Sequence, residues 1–399
     1  MNNKKAIVIG AGIGGIATAI RLAVKGFEVD IYEKNEVAGG KMYLIEKGGY
    51  QFDAGPSLFT QPSNIEELFH LAGEDIRSYF TYESVPIACR YFFENGIKVN
   101  AYTQAEQFAE EMNRQTGEPI ENVIRYLKDS ERVYEKVGSI FLNYSLHRTS
   151  TWFNRRIIDA MRTVRIPYLF KTLDQFNKER FNTPEAVQIF NRYATYNGSN
   201  PYSAPGMLSL IPHLEQNQGT FYPHGGMINI PKSLIALAEK KGVRFHLNTA
   251  VDEIRKERGK VTGVVINGKF LSSDLVVSNV DAYYTYKNLL RDEAGAKRIL
   301  RNERSSSALI FYWGMKRQFR ELHLHNIFFS NNYEQEFHHL FKLKKCYDDP
   351  TVYVNITSKM ESGQCPDGKE NWFVMVNAPA KSTPDWELDV KMLREAILT

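Results

Sequence analysis

The chain has 399 residues, a formal net charge of +4, 43% hydrophobic residues and 24% charged residues. This length gives room for two or three domains, and the basic excess is too small to indicate nucleic-acid binding. The three cysteines are far apart and lack metal-ligand spacing, which argues against a zinc site or a disulfide framework and favours a reducing compartment. The sequence has no run of ~20 apolar residues of the kind that spans a membrane.

The N-terminal stretch predicts a strand, a glycine-rich turn, a helix and a second strand. In the turn, Gly10 permits a tight bend, Gly12 lets a pyrophosphate approach the backbone, and Gly15 lets the helix pack close to the strand. The second strand ends at Glu33, near the ~20-residue spacing expected for the acid that binds ribose hydroxyls. The pattern therefore predicts a dinucleotide site formed by Gly10, Gly12, Gly14, Gly15 and Glu33.

The rest of the chain predicts a second domain inserted into the first. Asn95-Gly96 predicts the turn of a hairpin, residues 101–200 have a helical pattern, and residues 261–278 predict a β-meander that returns to the parallel sheet. Strand patterns after residue 300 predict an antiparallel sheet that lines a substrate cavity. The predicted divisions are 1–85 and 222–300 for the nucleotide-binding domain, 86–100 for the hairpin, 101–221 for the helical region and 301–399 for the sheet.

The segment 141–180 combines many cations with apolar and aromatic residues and contains few acids. Such a segment can lie in a membrane interface, with cations on anionic headgroups and rings at the acyl boundary. The alternative is a solvated basic face on an ordinary helical subdomain.

Several motifs together resemble bacterial carotenoid desaturases of the phytoene desaturase family. They are the two glycine-rich stretches within 8–41, FDAGPSLF at 52–59, YNGSNPYSAPGMLSLIPHLE at 196–215, YPHGGMINIPKSLIALAEKKGV at 222–243 and SSDLVVSNVD at 272–281. The similarity extends from residue 5 to about residue 380. Within this family the chain is most similar to desaturases that act at the 3,4 bond of a hydroxylated acyclic end.

The resemblance implies an α/β fold in which a Rossmann-type FAD-binding domain carries an inserted helical region and an antiparallel-sheet substrate domain. It implies FAD as cofactor, a lipid-soluble carotenoid as substrate, and a cytoplasmic protein attached peripherally to the inner face of the membrane. It also assigns further cofactor contacts. Val251 would bond adenine through its backbone, and the other contacts are Lys34, Gly40 and Lys41 near the phosphates and Gly55, Pro56 and Ser57 beside the flavin ring.

Two features depart from the family pattern or stay open. Lys41 stands where arginine is commoner, so the positive charge is kept but the bidentate fork is lost. The family closes with another glycine-rich segment near the flavin, whereas this sequence stops inside a predicted helix at residues 392–399. The sequence alone therefore leaves open whether the chain as written binds FAD, and it leaves the oligomeric state open as well.

The implied reaction removes two hydrogens from adjacent carbons, and no side chain can accept the hydride. Asp53 and His224 are candidates for a base, with turn capping as the alternative role of each, and the sequence nominates no catalytic residue. Four functions remain open at this point: a carotenoid desaturase, a polyene reductase or isomerase that uses reduced FAD, an amine oxidase, and a non-catalytic carotenoid- or membrane-binding protein.

Overall fold

The computed structural model describes residues 4–138, 166–380 and 386–398. The chain divides into two compact units: unit 1 is Met1–Glu83 with Phe221–Arg304, and unit 2 is Ser84–Thr220 with Ser305–Thr399. Most of the basic aromatic segment predicted at 141–180 lies outside the described residues, which resume at 166. Within the described residues, no helix has the length and apolar character needed to cross a membrane.

The strands are numbered in chain order. They are β1 (Lys5–Ile9), β2 (Glu28–Tyr32), β3 (Tyr43–Lys47), β4 (Tyr50–Ala54), β5 (Tyr82–Val85), β6 (Ile87–Phe92), β7 (Lys98–Tyr102), β8 (Thr220–Pro223), β9 (Arg244–His246), β10 (Glu253–Glu257), β11 (Lys260–Ile266), β12 (Lys269–Ser272), β13 (Leu275–Ser278), β14 (Ser307–Met315), β15 (His325–Phe328), β16 (Val352–Asn355) and β17 (Glu370–Ala378).

The α-helices are numbered in the same way. They are α1 (Ile13–Val24), α2 (Ser63–Leu71), α3 (Ala105–Thr116), α4 (Ile120–Val133), α5 (Ile166–Phe170), α6 (Leu173–Lys178), α7 (Pro184–Asn191), α8 (Asn229–Lys240), α9 (Ala282–Tyr284), α10 (Glu293–Ile299), α11 (Tyr333–His338) and α12 (Trp386–Leu398).

Unit 1 is built on a four-stranded parallel sheet in the order β13-β1-β2-β9. The central strand β1 is almost completely buried from Ala6 to Ile9, as expected for a strand covered on both faces. Helices α1 and α8 share one hydrophobic core with it. Strands β10, β11 and β12 form the predicted antiparallel meander, and the chain then returns to the parallel sheet as β13. The Rossmann-type fold predicted from the sequence is confirmed.

Unit 2 is built on a six-stranded sheet in the order β14-β17-β16-β15-β6-β7. The strand patterns predicted after residue 300 correspond to β14, β15, β16 and β17. The predicted hairpin at Asn95-Gly96 joins β6 to β7 in this same sheet. The sheet differs from the prediction in one pair, because β6 and β15 run parallel. A parallel pair needs a crossover connection, and the long segment between these two strands supplies it.

The helices between β7 and β8 supply the core of unit 2. Aromatic side chains dominate this core, including Phe108 of α3, Tyr126 of α4 and Phe190 of α7, each of which is buried. These rings pack close together, and the centroids of Tyr126 and Phe190 are 4.5 Å apart. The inserted helical region predicted at 101–221 is therefore a packed part of unit 2 over its described residues.

Candidate cofactor site

The glycine-rich turn between β1 and α1 brings two backbone segments into direct contact. Gly10 has a φ of +96°, which a residue with a side chain rarely adopts. A Cβ on Gly15 would lie 2.1 Å from the carbonyl oxygen of Gly10, so helix α1 could not pack this close to β1 with any larger residue. Gly14 is exposed, and a Cβ there would meet only the side chain of Asn279, at 2.7 Å.

Helix α1 begins immediately after Gly12, which has no side chain to cap it. The first turn of α1 contains no acidic residue. The free N–H groups and the positive end of the helix dipole therefore point at whatever lies beyond Gly12. This arrangement suits a phosphate group.

A second glycine turn packs on the first. The N–H of Gly39 donates to the carbonyl of Ala11 at 2.8 Å, and a Cβ on Gly40 would lie 2.9 Å from the Cα of Gly12. Lys41 is exposed, and its carbonyl oxygen would lie 2.0 Å from a Cβ on Gly55. Gly55 thus holds the backbone that leads into Pro56 and Ser57 against the second turn.

The carboxylate of Glu33 is 7% exposed and connects three segments. Its Oε2 accepts from the N–H of Ala11 at 2.8 Å, and its Oε1 accepts from the N–H and the side-chain amide of Asn35 at 2.9 and 2.8 Å. The N–H of Thr249 donates to the carbonyl of Glu33 at 2.8 Å. Glu33 therefore fixes the first glycine turn to the segments after β2 and β9.

A cleft of about 500 Å³ lies over these segments, entirely within unit 1. Six of the residues predicted from the sequence line it: Gly10, Gly12, Glu33, Lys34, Gly40 and Val251. Lys34 and Gly40 are exposed at its edge. The other predicted residues, Gly14, Gly15, Lys41, Gly55, Pro56 and Ser57, do not line it.

Val251 lies in the wall of the cleft. Within the described part of the chain, neither its N–H nor its carbonyl has a hydrogen-bond partner. The neighbouring Asp252 donates its N–H to Val265, so the chain becomes part of the meander directly after the cleft. Unpartnered backbone groups next to a cavity suit a planar ligand with ring nitrogens.

Asn279 also lines the cleft and was not predicted from the sequence. Its N–H donates to the carbonyl of Ile9 at 2.8 Å, and its side chain lies next to Gly12 and Gly14. A signal was present, since Asn279 directly follows the strand β13, and the carboxyl ends of parallel strands meet at one edge of a sheet. Tyr32, Thr249 and Tyr284 also line the cleft and were not predicted.

Side-chain pairs fix the edge strand β9, which leads into the cleft. The guanidinium of Arg244 donates two 2.8 Å hydrogen bonds to Asp30 on β2 and holds the pKa of that carboxyl below its usual value. His246 is hydrogen-bonded to the same carboxylate at 2.8 Å and stacks on Tyr32 with the ring centroids 4.5 Å apart. The wall formed by Tyr32 and the residues after β9 is therefore held by three side-chain pairs.

The two candidate bases, Asp53 and His224, do not line the cleft. Asp53 is buried, and its carboxylate accepts the N–H groups of Met227 at 2.8 Å and Ile228 at 3.3 Å, just before helix α8 begins. A Cβ on Gly226 would collide with the same carboxylate. Asp53 thus stabilises the start of α8, which is the capping alternative. His224 is exposed, and its carbonyl accepts from the side chain of Asn229 at 2.6 Å.

A family model for flavin-containing amine oxidoreductases matches residues 13–385. The chain belongs to this family. It is accordingly an FAD-dependent oxidoreductase, and the uncapped helix, the Glu33 carboxylate and the free backbone of Val251 are features that a dinucleotide cofactor needs. The fold class, cofactor and enzyme class predicted from the sequence are confirmed.

Curated relatives are similar over nearly the whole chain. The chain is 47% identical to a 1-hydroxycarotenoid 3,4-desaturase from Flavobacterium sp. (strain P99-3), over 99% of this chain and 81% of that protein. It is 33% identical to a 4,4'-diapolycopene oxygenase from Methylomonas sp., over 100% of this chain and 80% of that protein. It is also 33% identical to a 4,4'-diaponeurosporene oxygenase from Staphylococcus aureus (strain bovine RF122 / ET3-1), over 99% of this chain and 80% of that protein. The resemblance to carotenoid desaturases is confirmed.

Solved structures show the same fold at low identity. An oxidoreductase from Methanosarcina mazei matches with a TM-score of 0.65 and 16% identity, over 98% of this chain and 83% of that one. A reduced UDP-galactopyranose mutase matches with a TM-score of 0.60 and 15% identity, over 99% of this chain and 79% of that one.

Proposed function

We propose that this enzyme is a carotenoid desaturase that introduces a carbon–carbon double bond into the acyclic end of a carotenoid. The observation that carries the proposal is 47% identity, over 99% of this chain, to a relative named for this reaction. Two further relatives are named as oxygenases of 4,4'-diapolycopene and 4,4'-diaponeurosporene. Oxidation of a carotenoid is thus the reaction type that the three names have in common.

Twelve residues of unit 1 would bind the cofactor, which supplies the hydride acceptor when bound. The turn Gly10–Gly15 and the start of α1 would hold the diphosphate, supported by Lys34, Gly40 and Lys41. Glu33 would accept hydrogen bonds from ribose hydroxyls, and the backbone of Val251 would bond adenine. Gly55, Pro56 and Ser57, which follow β4, would lie beside the flavin ring.

The described residues offer no evident base for the proton that leaves the substrate. Asp53 is engaged at the start of α8, and the side chain of His224 is exposed. Loss of a hydride next to a polyene leaves a cation that conjugation stabilises, so a weak acceptor is sufficient for the proton. The contribution we assign to this chain is orientation of the C–H bond and exclusion of water.

An anaerobic assay tests the reaction class. A 1-hydroxylated acyclic carotenoid in liposomes is incubated with the FAD-supplemented protein, and the absorption spectrum and product mass are followed. We expect a shift to longer wavelength and a loss of two hydrogens. In a parallel sample whose FAD has been reduced with dithionite, a shift to shorter wavelength would indicate a reductase, and an unchanged mass with altered geometry would indicate an isomerase. An added oxygen under air would indicate an oxygenase, and no change with any carotenoid would contradict the proposal.

We further propose that the enzyme works at the inner face of the cytoplasmic membrane, bound through the basic aromatic segment 141–180. In the described part of this segment, Leu169 and Phe170 are 54% and 81% exposed. Two lysines that follow Phe170 already form ion pairs, Lys171 with Glu179 and Lys178 with Asp174. The support therefore comes from the exposed apolar pair and from the cations that precede it in the sequence.

The membrane proposal predicts binding that depends on lipid charge. We expect the protein to sediment with liposomes that contain anionic lipid, to sediment less with neutral liposomes, and to be released in high salt because exposed charges are screened. Leu169→Ser with Phe170→Ser should weaken sedimentation. Failure to bind liposomes of any composition would remove the proposal.

A further inference from the structure

A polar cluster lies inside unit 2 on one face of the six-stranded sheet. Tyr91 of β6 pairs in register with Ile327 of β15, two residues from His325. Because side chains alternate along a strand, Tyr91 and His325 lie on the same face. Arg192 reaches over this face from a 3-10 turn at Arg192–Asn197, and its guanidinium carbon is 5.5 Å from the Tyr91 ring centroid.

The cluster contains one buried ion pair. A terminal nitrogen of the Arg192 guanidinium lies 2.8 Å from each carboxylate oxygen of Glu215, and the two residues are 8% and 1% exposed. The hydroxyl of Tyr196 also donates to Glu215. Because the two charges balance, the cluster suits a neutral polar group rather than an ion.

Polar atoms in this cluster have no partner among the described residues. They are Tyr91 Oη, Arg192 Nε, Gln216 Oε1 and His325 Nε2. The four residues are 0, 8, 0 and 1% exposed. Gln216 belongs to the cluster because its amide donates to the hydroxyl of Tyr193, whose ring lies 4.4 Å from the Arg192 guanidinium carbon. Buried polar groups normally have partners, so these four mark a place where a partner is missing.

Two of these atoms have a fixed hydrogen-bonding role, since Arg192 Nε is a donor and Gln216 Oε1 is an acceptor. Burial lowers the pKa of His325 to about 3, so its ring stays neutral and carries one proton. Nδ1 of this ring lies 3.1 Å from the amide nitrogen of Asn355 and 2.8 Å from the hydroxyl of Tyr353, which can donate or accept. His325 Nε2 is therefore a donor in one tautomer and an acceptor in the other, and Tyr91 Oη can also be either.

We propose that this cluster is a subsite for the hydroxyl group at the end of the substrate and that Tyr91 is a specificity-determining residue in it. The inference rests on the proposed function and deepens it. A hydroxyl accepts hydrogen bonds at its oxygen and donates one, and the cluster offers both donors and an acceptor. A hydrocarbon end offers neither, so it would leave all four atoms unpaired.

The test compares Tyr91→Phe with the wild type on two substrates in the same liposomes. These are a 1-hydroxylated acyclic carotenoid and the counterpart without the hydroxyl. Their binding is measured by the change in carotenoid absorption on adding protein, and kcat/KM is measured with FAD present. We expect the wild type to prefer the hydroxylated substrate by about tenfold or more. Tyr91→Phe should reduce this preference to about twofold and leave values for the other substrate within about twofold of wild type.

Tyr126→Phe is the matched control, because Tyr126 is equally buried in this unit but donates to Asn177 at 2.8 Å. It should lower the melting temperature without changing the substrate preference, whereas Tyr91→Phe should not lower the melting temperature. A wild type that prefers the hydroxylated substrate, together with an unchanged preference in Tyr91→Phe, would overturn the subsite and leave the proposed function intact; the unpaired atoms would then belong to an ordered water. A wild type that neither binds nor oxidises either carotenoid would overturn both.

Discussion

Gly15→Ala is expected to abolish FAD binding and to lower the free energy of unfolding by about 3 kcal/mol. The reason is a collision between two backbone segments that side-chain rotation cannot relieve. The new Cβ would lie 2.1 Å from the Gly10 carbonyl oxygen, so α1 must move away from β1. That movement displaces the N–H groups at the start of α1 from the phosphate position. FAD affinity is measured by quenching of flavin fluorescence, and stability by urea unfolding without FAD.

Gly26→Ala is the control for this substitution. Gly26 follows the other end of α1 with a φ of +85°, and nothing lies within 4 Å of a Cβ placed there. We expect it to lower the free energy of unfolding by about 1 kcal/mol through backbone strain and to leave FAD affinity unchanged. Wild-type FAD affinity in Gly15→Ala would show that the close contact between turn and helix is not needed for the cofactor site.

Glu33→Ala is expected to weaken FAD binding about 100-fold, from the loss of charge-assisted hydrogen bonds to ribose and of the fixed turn. The carboxylate holds the N–H of Ala11 and two donors of Asn35, and alanine would leave all three without an acceptor. FAD affinity and the melting temperature of the FAD-free protein are measured together. The expected result is a much larger loss of affinity than the loss of stability alone explains.

Glu36→Ala removes the same charge three residues later and is the matched control. Glu36 is exposed and does not line the cleft. We expect wild-type affinity and stability from it. Equal losses of FAD affinity in the two variants would indicate that Glu33 acts only through net charge, which would contradict its assignment to the ribose.

Local patterns predicted the part of the site that lies on one continuous stretch of chain. The turn at Gly10–Gly15, the strand that ends at Glu33 and the glycines at 39 and 40 all follow from spacing and from the conformations that only glycine adopts. The meander after Val251 and the return to β13 follow from strand alternation. These features depend on short-range geometry, which the residues themselves largely determine.

The remaining features depend on contacts between distant parts of the chain. Asn279 meets Gly12 only because β13 lies beside β1, and strand order does not follow from local patterns. The sequence could not show that Asp53 stabilises the start of α8, because its partner Met227 is 174 residues away. Asp53 was therefore predicted as a candidate base. The Arg192–Glu215 pair lies in turn-rich sequence with no periodicity that indicates burial. The parallel pairing of β6 with β15 was also missed, because it joins strands that are far apart in the sequence.

FAD bound by unit 1 would accept the hydride that carotenoid oxidation releases. The most direct measurement is an anaerobic single turnover, in which FAD-loaded protein is mixed with a 1-hydroxylated acyclic carotenoid and both spectra are followed together. We expect oxidised-flavin absorption to be lost at the same rate as the longer-wavelength carotenoid appears, with one flavin reduced for each double bond formed. A product that appears while the flavin stays oxidised, or a flavin that is reduced without a new double bond, would contradict it.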